Sequence, residues 1–160
     1  MIDLEALHAA LVSDRPVAVC PAAKETEEFL RNVYFDTDSI LFGWRHRLKD
    51  RLYALAEKYS SEGWDSEGAF PVSEYAVEAA KHFIDILPEG IKEPFITAEI
   101  TGDLAFDWDL GEDMTFAVIV SGEHAVYAGI FGDSSRRGTE RIYGELPISI
   151  KNILLTYFRK

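Results

Sequence analysis

The sequence predicts an α+β domain: N-terminal helices, then a four-stranded antiparallel β-meander, then a C-terminal helix, with the helices covering one face of the sheet. Three observations predict it. Apolar residues recur at spacings of three and four as far as Leu87. From Phe95 the period changes to two. The connections between the period-two segments are short and contain glycine. A chain of 160 residues suits one domain, 1–160, with a helical part over 1–60 and a loop, helix, sheet and closing helix over 61–160.

Residues 2–12 read as an amphipathic helix through Ile2, Leu4, Leu7 and Leu11, stopped by Ser13-Asp14-Arg15-Pro16. Residues 24–34 read as a second. Asp36-Thr37-Asp38-Ser39 is a capping segment for the clearest helix of the chain. There Leu41, Trp44, Leu48, Leu52, Leu55 and Tyr59 form an apolar stripe. Its other faces carry four bases within seven residues, Arg45, Arg47, Lys49 and Arg51. Such a cluster is a solvated face, an anion- or partner-binding face, or an intramolecular counterweight to acidic groups elsewhere.

Glu62 to Pro71 has loop chemistry: two glycines, an Asp, a Ser and a Pro in ten residues. The Asp65 side chain suits an Asx-turn, and Trp64 and Phe70 are expected to pack inward and pin the loop. Ser73 is placed to N-cap a helix over 74–87, with Glu74 in its first turn. Pro88-Glu89-Gly90 ends it.

Four strands are expected, near Phe95–Thr101, Leu104–Leu110, Thr115–Val120 and Ala125–Phe131. Alternation puts Asp107 and Asp109 opposite Trp108, towards water. Gly132 to Gly144 reads as a long polar loop or an irregular hairpin. Pro147 then opens an amphipathic last helix.

The run Gly63-Trp64-Asp65-Ser66-Glu67-Gly68-Ala69, with Pro71-Val72, Leu87-Pro88 and Asp107-Trp108 after it, resembles a family of small uncharacterised bacterial proteins. Tyr127-Ala128-Gly129 and Phe131-Gly132-Asp133 extend the resemblance, which covers roughly residues 62–146. The family loop reads Gly-Trp-Asp-Gly-aromatic-Gly-Ala, so this chain departs from it at Ser66 and Glu67. The resemblance implies a helix, a Leu-Pro stop and several strands. It implies no activity.

Charge is the most unusual bulk property. The chain carries a net charge of −12, unevenly distributed. Residues 61–130 hold fifteen acids and two bases, whereas residues 131–160 hold three acids and six bases. That balance argues against binding nucleic acid through its phosphates and allows a basic protein partner. A single cysteine, Cys20, excludes an internal disulfide and fits a reducing compartment. No apolar run reaches membrane-spanning length and the N-terminus lacks a basic leader, so a cytoplasmic location is expected.

The sequence holds no Walker loop, dinucleotide fingerprint, nucleophile elbow or His-Glu-x-x-His helix. Four scattered histidines give no zinc spacing, and nothing calls for a cofactor. The expected function is therefore a non-catalytic interaction or regulatory protein that binds a basic partner, such as an inhibitor or an antitoxin-like protein of a defence system. Its contact residues would be Trp64, Asp65, Glu67, Asp107 and Asp109. The alternative is a small enzyme or small-molecule-binding domain with a site between sheet and helices, using His124, Arg136, Arg137 and Arg141.

Overall fold

The computed structural model describes residues 43–160. The helices expected over 2–12 and 24–34, the capping segment 36–39 and Cys20 lie outside the described residues, and the single-domain reading extends over them.

Helix α1 covers residues 43–58. Its stripe residues Trp44, Leu48 and Leu52 are buried, as the period of three and four requires. Helix α2 (Glu74–Ile86) begins where Ser73 caps it, the hydroxyl accepting from the Ala76 amide at 3.1 Å. Ala76, Ala80, Phe83 and Ile84 form its buried side. Five strands follow: β1 (Phe95–Ala98), β2 (Leu104–Asp109), β3 (Met114–Ser121), β4 (His124–Phe131) and β5 (Ser134–Arg141). They pair antiparallel in chain order. Helix α3 (Ile148–Tyr157) closes the chain, with Pro147 at its N-cap rather than inside its first turn.

The sheet has five strands, not four. The segment read as a polar loop or an irregular hairpin is β5, paired along all eight residues with β4. It has none of the β-branched or aromatic density that marks a strand by composition. Main-chain pairing holds it, and its arginines and serines suit an edge strand open to water.

One face of the sheet carries Phe106, Trp108, Phe116 and Val118, all buried. Phe83 of α2 meets Phe106 with ring centroids 4.8 Å apart. Phe158, after α3, meets both Trp108 and Phe116. Burying one such ring contributes roughly 2–3 kcal/mol, so these rings dominate the packing. The Trp108 indole N–H donates to the Lys92 carbonyl at 2.9 Å, which leaves no unsatisfied donor in the core.

The basic cluster of α1 is the intramolecular counterweight. Arg45 pairs with Glu89, Lys49 with Asp85, and both Arg47 and Arg51 with Glu93. Arg45 also donates to the carbonyls of Ile84 and Leu87, clamping α1 onto the end of α2.

Candidate functional site

The Gly-Trp-Asp loop is built inward on itself. The Asp65 carboxylate accepts from the amides of Glu67 and Ala69, each at 2.9 Å. These bonds hold its pKa below the ordinary value of 3.8. The Gly63 amide closes the loop on the Ala69 carbonyl at 2.8 Å. Trp64 lies against Tyr59, centroids 4.3 Å apart, and its indole N–H donates to the Phe70 carbonyl at 3.0 Å. The loop is tied to the β1–β2 turn by the Phe70 amide, which donates to the Ile100 carbonyl at 2.9 Å. Gly102 of that turn lies so close to the Pro71 carbonyl that a Cβ would sit 2.6 Å from its oxygen. Phe70 itself is 64% exposed, contrary to the expectation that it packs inward. Its backbone anchors the loop, and that leaves the ring free.

The expected partner-binding residues do not form one surface. Trp64 and Asp65 are occupied in holding the loop. Asp109 lies seven residues along from Gly102, about 24 Å for an extended chain. There it accepts from the Gly111 amide and caps the β2–β3 turn.

The expected cationic group is also divided. Arg141 donates to His124 Nε2 at 3.3 Å and to the Tyr143 hydroxyl at 2.9 Å. Arg137 pairs with Ala128 instead, four residues along the strand and about 13 Å away.

What the fold does bring together is the other face of the sheet. One cross-strand row runs Asp107, Ala117, Ala128, Arg137. The neighbouring rows add Thr115 and Ile130 on one side, Ile119 and Val126 on the other. Small side chains in the middle leave a depression of about 520 Å³, bounded by Asp107, Asp109, Ile130, Ser135, Arg136 and Arg137. It lies on this open face, whereas Phe83 and Phe158 fill the opposite one.

Asp107 is half-buried there, not turned freely to water. Burial raises its pKa, and the Thr97 hydroxyl, donating at 3.2 Å, offsets part of that rise. Phe95, Val126 and Ile130 on the same face are 65%, 44% and 46% exposed. Sequence reasoning missed these three because which face each strand turns to the core follows only from its register with β2. Their parity relative to Phe106 and Phe116 was the available signal.

No protein-family model, curated protein or solved structure matches this chain. The functional reading therefore rests on the residues themselves. Among the described residues, no group of three or more His, Cys, Asp or Glu is placed to hold a metal ion, and no helix is long and apolar enough to cross a membrane.

Proposed function

We propose that this chain is a non-catalytic protein-binding module, with the helices together covering one face of the sheet and a partner docking on the other. The observation that carries the reading is the exposure of Phe95, Val126 and Ile130 around the half-buried Asp107 carboxylate. Scattered surface apolar residues need no explanation, but these three share one sheet face with Ala117, Ile119 and Ala128 between them, an apolar surface of the kind that marks contact sites. A carboxylate beside that patch selects a partner that presents a basic group. This keeps the expectation of a basic protein partner and moves the contact from the Trp64 loop to the sheet.

The test is affinity capture by the full chain, comparing wild type with Ile130→Arg and Asp107→Lys, and with Tyr143→Ala as a control outside the depression. A protein lost with the first two and kept with the third supports the reading. Identical captured sets for all four sink it.

The depression itself favours a second reading, a small ligand carrying both charges, held between Asp107 and Arg137. Its volume is within the usual range for such sites. A ligand-dependent rise in melting temperature that disappears in Arg137→Ala would support it.

A further inference from the structure

We infer that the partner on the open sheet face is a second copy of this chain, docked face to face about a two-fold axis parallel to the strands. This rests on the reading of that face as a protein-docking surface and names its occupant. The argument is the symmetry of the face itself. An axis lying between the two sheets, over the line between β3 and β4, exchanges β3 with β4 and β2 with β5. It keeps every residue in its own cross-strand row. In the row Asp107, Ala117, Ala128, Arg137, each Asp107 then faces the Arg137 of the second copy, and Ala117 faces Ala128. In the next row Ile119 faces Val126. In the Asp107 row acid meets base at both ends of the contact with alanine against alanine between them, and in the row on its other side Thr115 faces Ile130 and Asp109 faces Ser135.

The self-complementarity is specific to this face. The bases of α1 are taken up by Glu89, Asp85 and Glu93, but among the described residues the Arg137 guanidinium has no carboxylate partner. Asp107 has only the Thr97 hydroxyl among them. The geometry tolerates the twist of real sheets. Asp107 lies about one and a half strand spacings from the axis, roughly 7 Å. A crossing angle near −30° displaces it by about 4 Å, within reach of an arginine side chain. The alanines let the two sheets approach closely.

Three strands of eight residues and one of six, at about 4.8 Å between strands and about 3.4 Å per residue, give a contact of about 490 Å² per copy. The two copies together reach about 1,000 Å², the lower edge of specific interfaces. A dimer in the micromolar range follows, weakened by salt. Phe95 on β1 extends past the partner's β5 edge.

The test uses the full chain in sedimentation velocity over a concentration series. Asp107→Arg alone and Arg137→Asp alone each place like charges opposite one another at both edges. Each should weaken the dimer at least ten-fold. An equimolar mixture of the two variants has opposite charges at both edges and should dimerise within about three-fold of wild type. Rescue in the mixture with loss in each variant alone supports the inference, because general damage to the fold cannot produce it.

A wild-type monomer at a few hundred micromolar overturns the inference, as does a dimer indifferent to both substitutions. If that monomer still captures a protein that Ile130→Arg loses, the docking reading stands and only the self-association fails. If it captures nothing sensitive to Ile130→Arg, both fail.

Discussion

Asp107 of β2 and Arg137 of β5 stand in one cross-strand row, separated by Ala117 and Ala128 with no ion pair joining them, and Phe95 of β1 continues the row beyond Asp107. Two alanines span two strands, so the charges stand three strand spacings apart, about 14 Å. At that distance they form no ion pair across the alanines between them. The face is left with an acidic edge, an apolar middle and a basic edge.

The first prediction concerns the cost of that acidic edge to the isolated chain. Burial raises the Asp107 pKa above 3.8, so the folded state disfavours the charged form. The sign follows by linkage. With both states protonated at low pH, Asp107 is neutral to stability. As pH rises from 3.8 through the higher folded value, ionisation subtracts stability, and the loss persists at neutral pH. In dilute solution, Asp107→Asn should therefore be neutral or stabilising at pH 7, by at most about 0.5 kcal/mol. Urea unfolding at pH 7 and pH 4 measures it. A clear destabilisation at pH 7 would show that the carboxylate is held by a favourable contact.

Ser66 gives a second prediction. Its φ of 66° is in the left-handed region, and it is the one non-glycine residue there among the described residues. That conformation costs an L-residue roughly 1 kcal/mol or more. Glycine removes the cost but gains freedom in the unfolded chain. Ser66→Gly should therefore stabilise by about 0.5 kcal/mol, seen as a rise in melting temperature of about 1–2 °C. A fall would mean that the serine side chain supports the loop.

The same loop shows what was legible in the sequence. Gly63 and Gly68 read as loop glycines able to take positive φ, and both do, whereas nothing local marks Ser66 for the left-handed conformation it also adopts. The Asx-turn at Asp65, the Ser73 cap and the α1 stripe were also readable, because each depends on residues close in sequence. β5 reads only as the irregular-hairpin alternative to a loop and is not counted as a strand, although Gly132-Asp133 between Phe131 and Ser134 is a two-residue hairpin signal. Its composition outweighed its turn. The open face was not readable as a site, because the Asp107–Arg137 row exists only once four strands are in register.

Gly129 gives a third prediction, set by packing. It is buried in β4, and a Cβ there would lie 2.7 Å from the Phe131 ring and 2.9 Å from Phe116. Those rings are already enclosed by Phe158 and Tyr157. Gly129→Ala must displace one of them, at a cost of about 1–3 kcal/mol. Chemical denaturation of the variant checks it, and a change below about 0.5 kcal/mol would show that the core has slack at Phe131.

The last prediction separates two ion pairs that share one carboxylate. Glu93 accepts from Arg47 at 2.9 Å and from Arg51 at 3.0 Å, so distance does not distinguish them. Exposure does. The Arg47 side chain is 36% exposed and that of Arg51 is 55% exposed. Water screens the second pair more fully, and its more exposed side chain has more rotamer freedom to lose on pairing. A double-mutant cycle built from Glu93→Gln, Arg47→Met and Arg51→Met should give a coupling of about 1 kcal/mol for Glu93 with Arg47 and well below that for Glu93 with Arg51. Both couplings should fall in 1 M salt, where the screening length is about 3 Å. Equal couplings would show that exposure does not decide between the pairs, and couplings near zero for both would mean that α1 is held by the Arg45 clamp and by Leu48 and Leu52 without help from Glu93. The basic face of the helix would then be available to an outside anion.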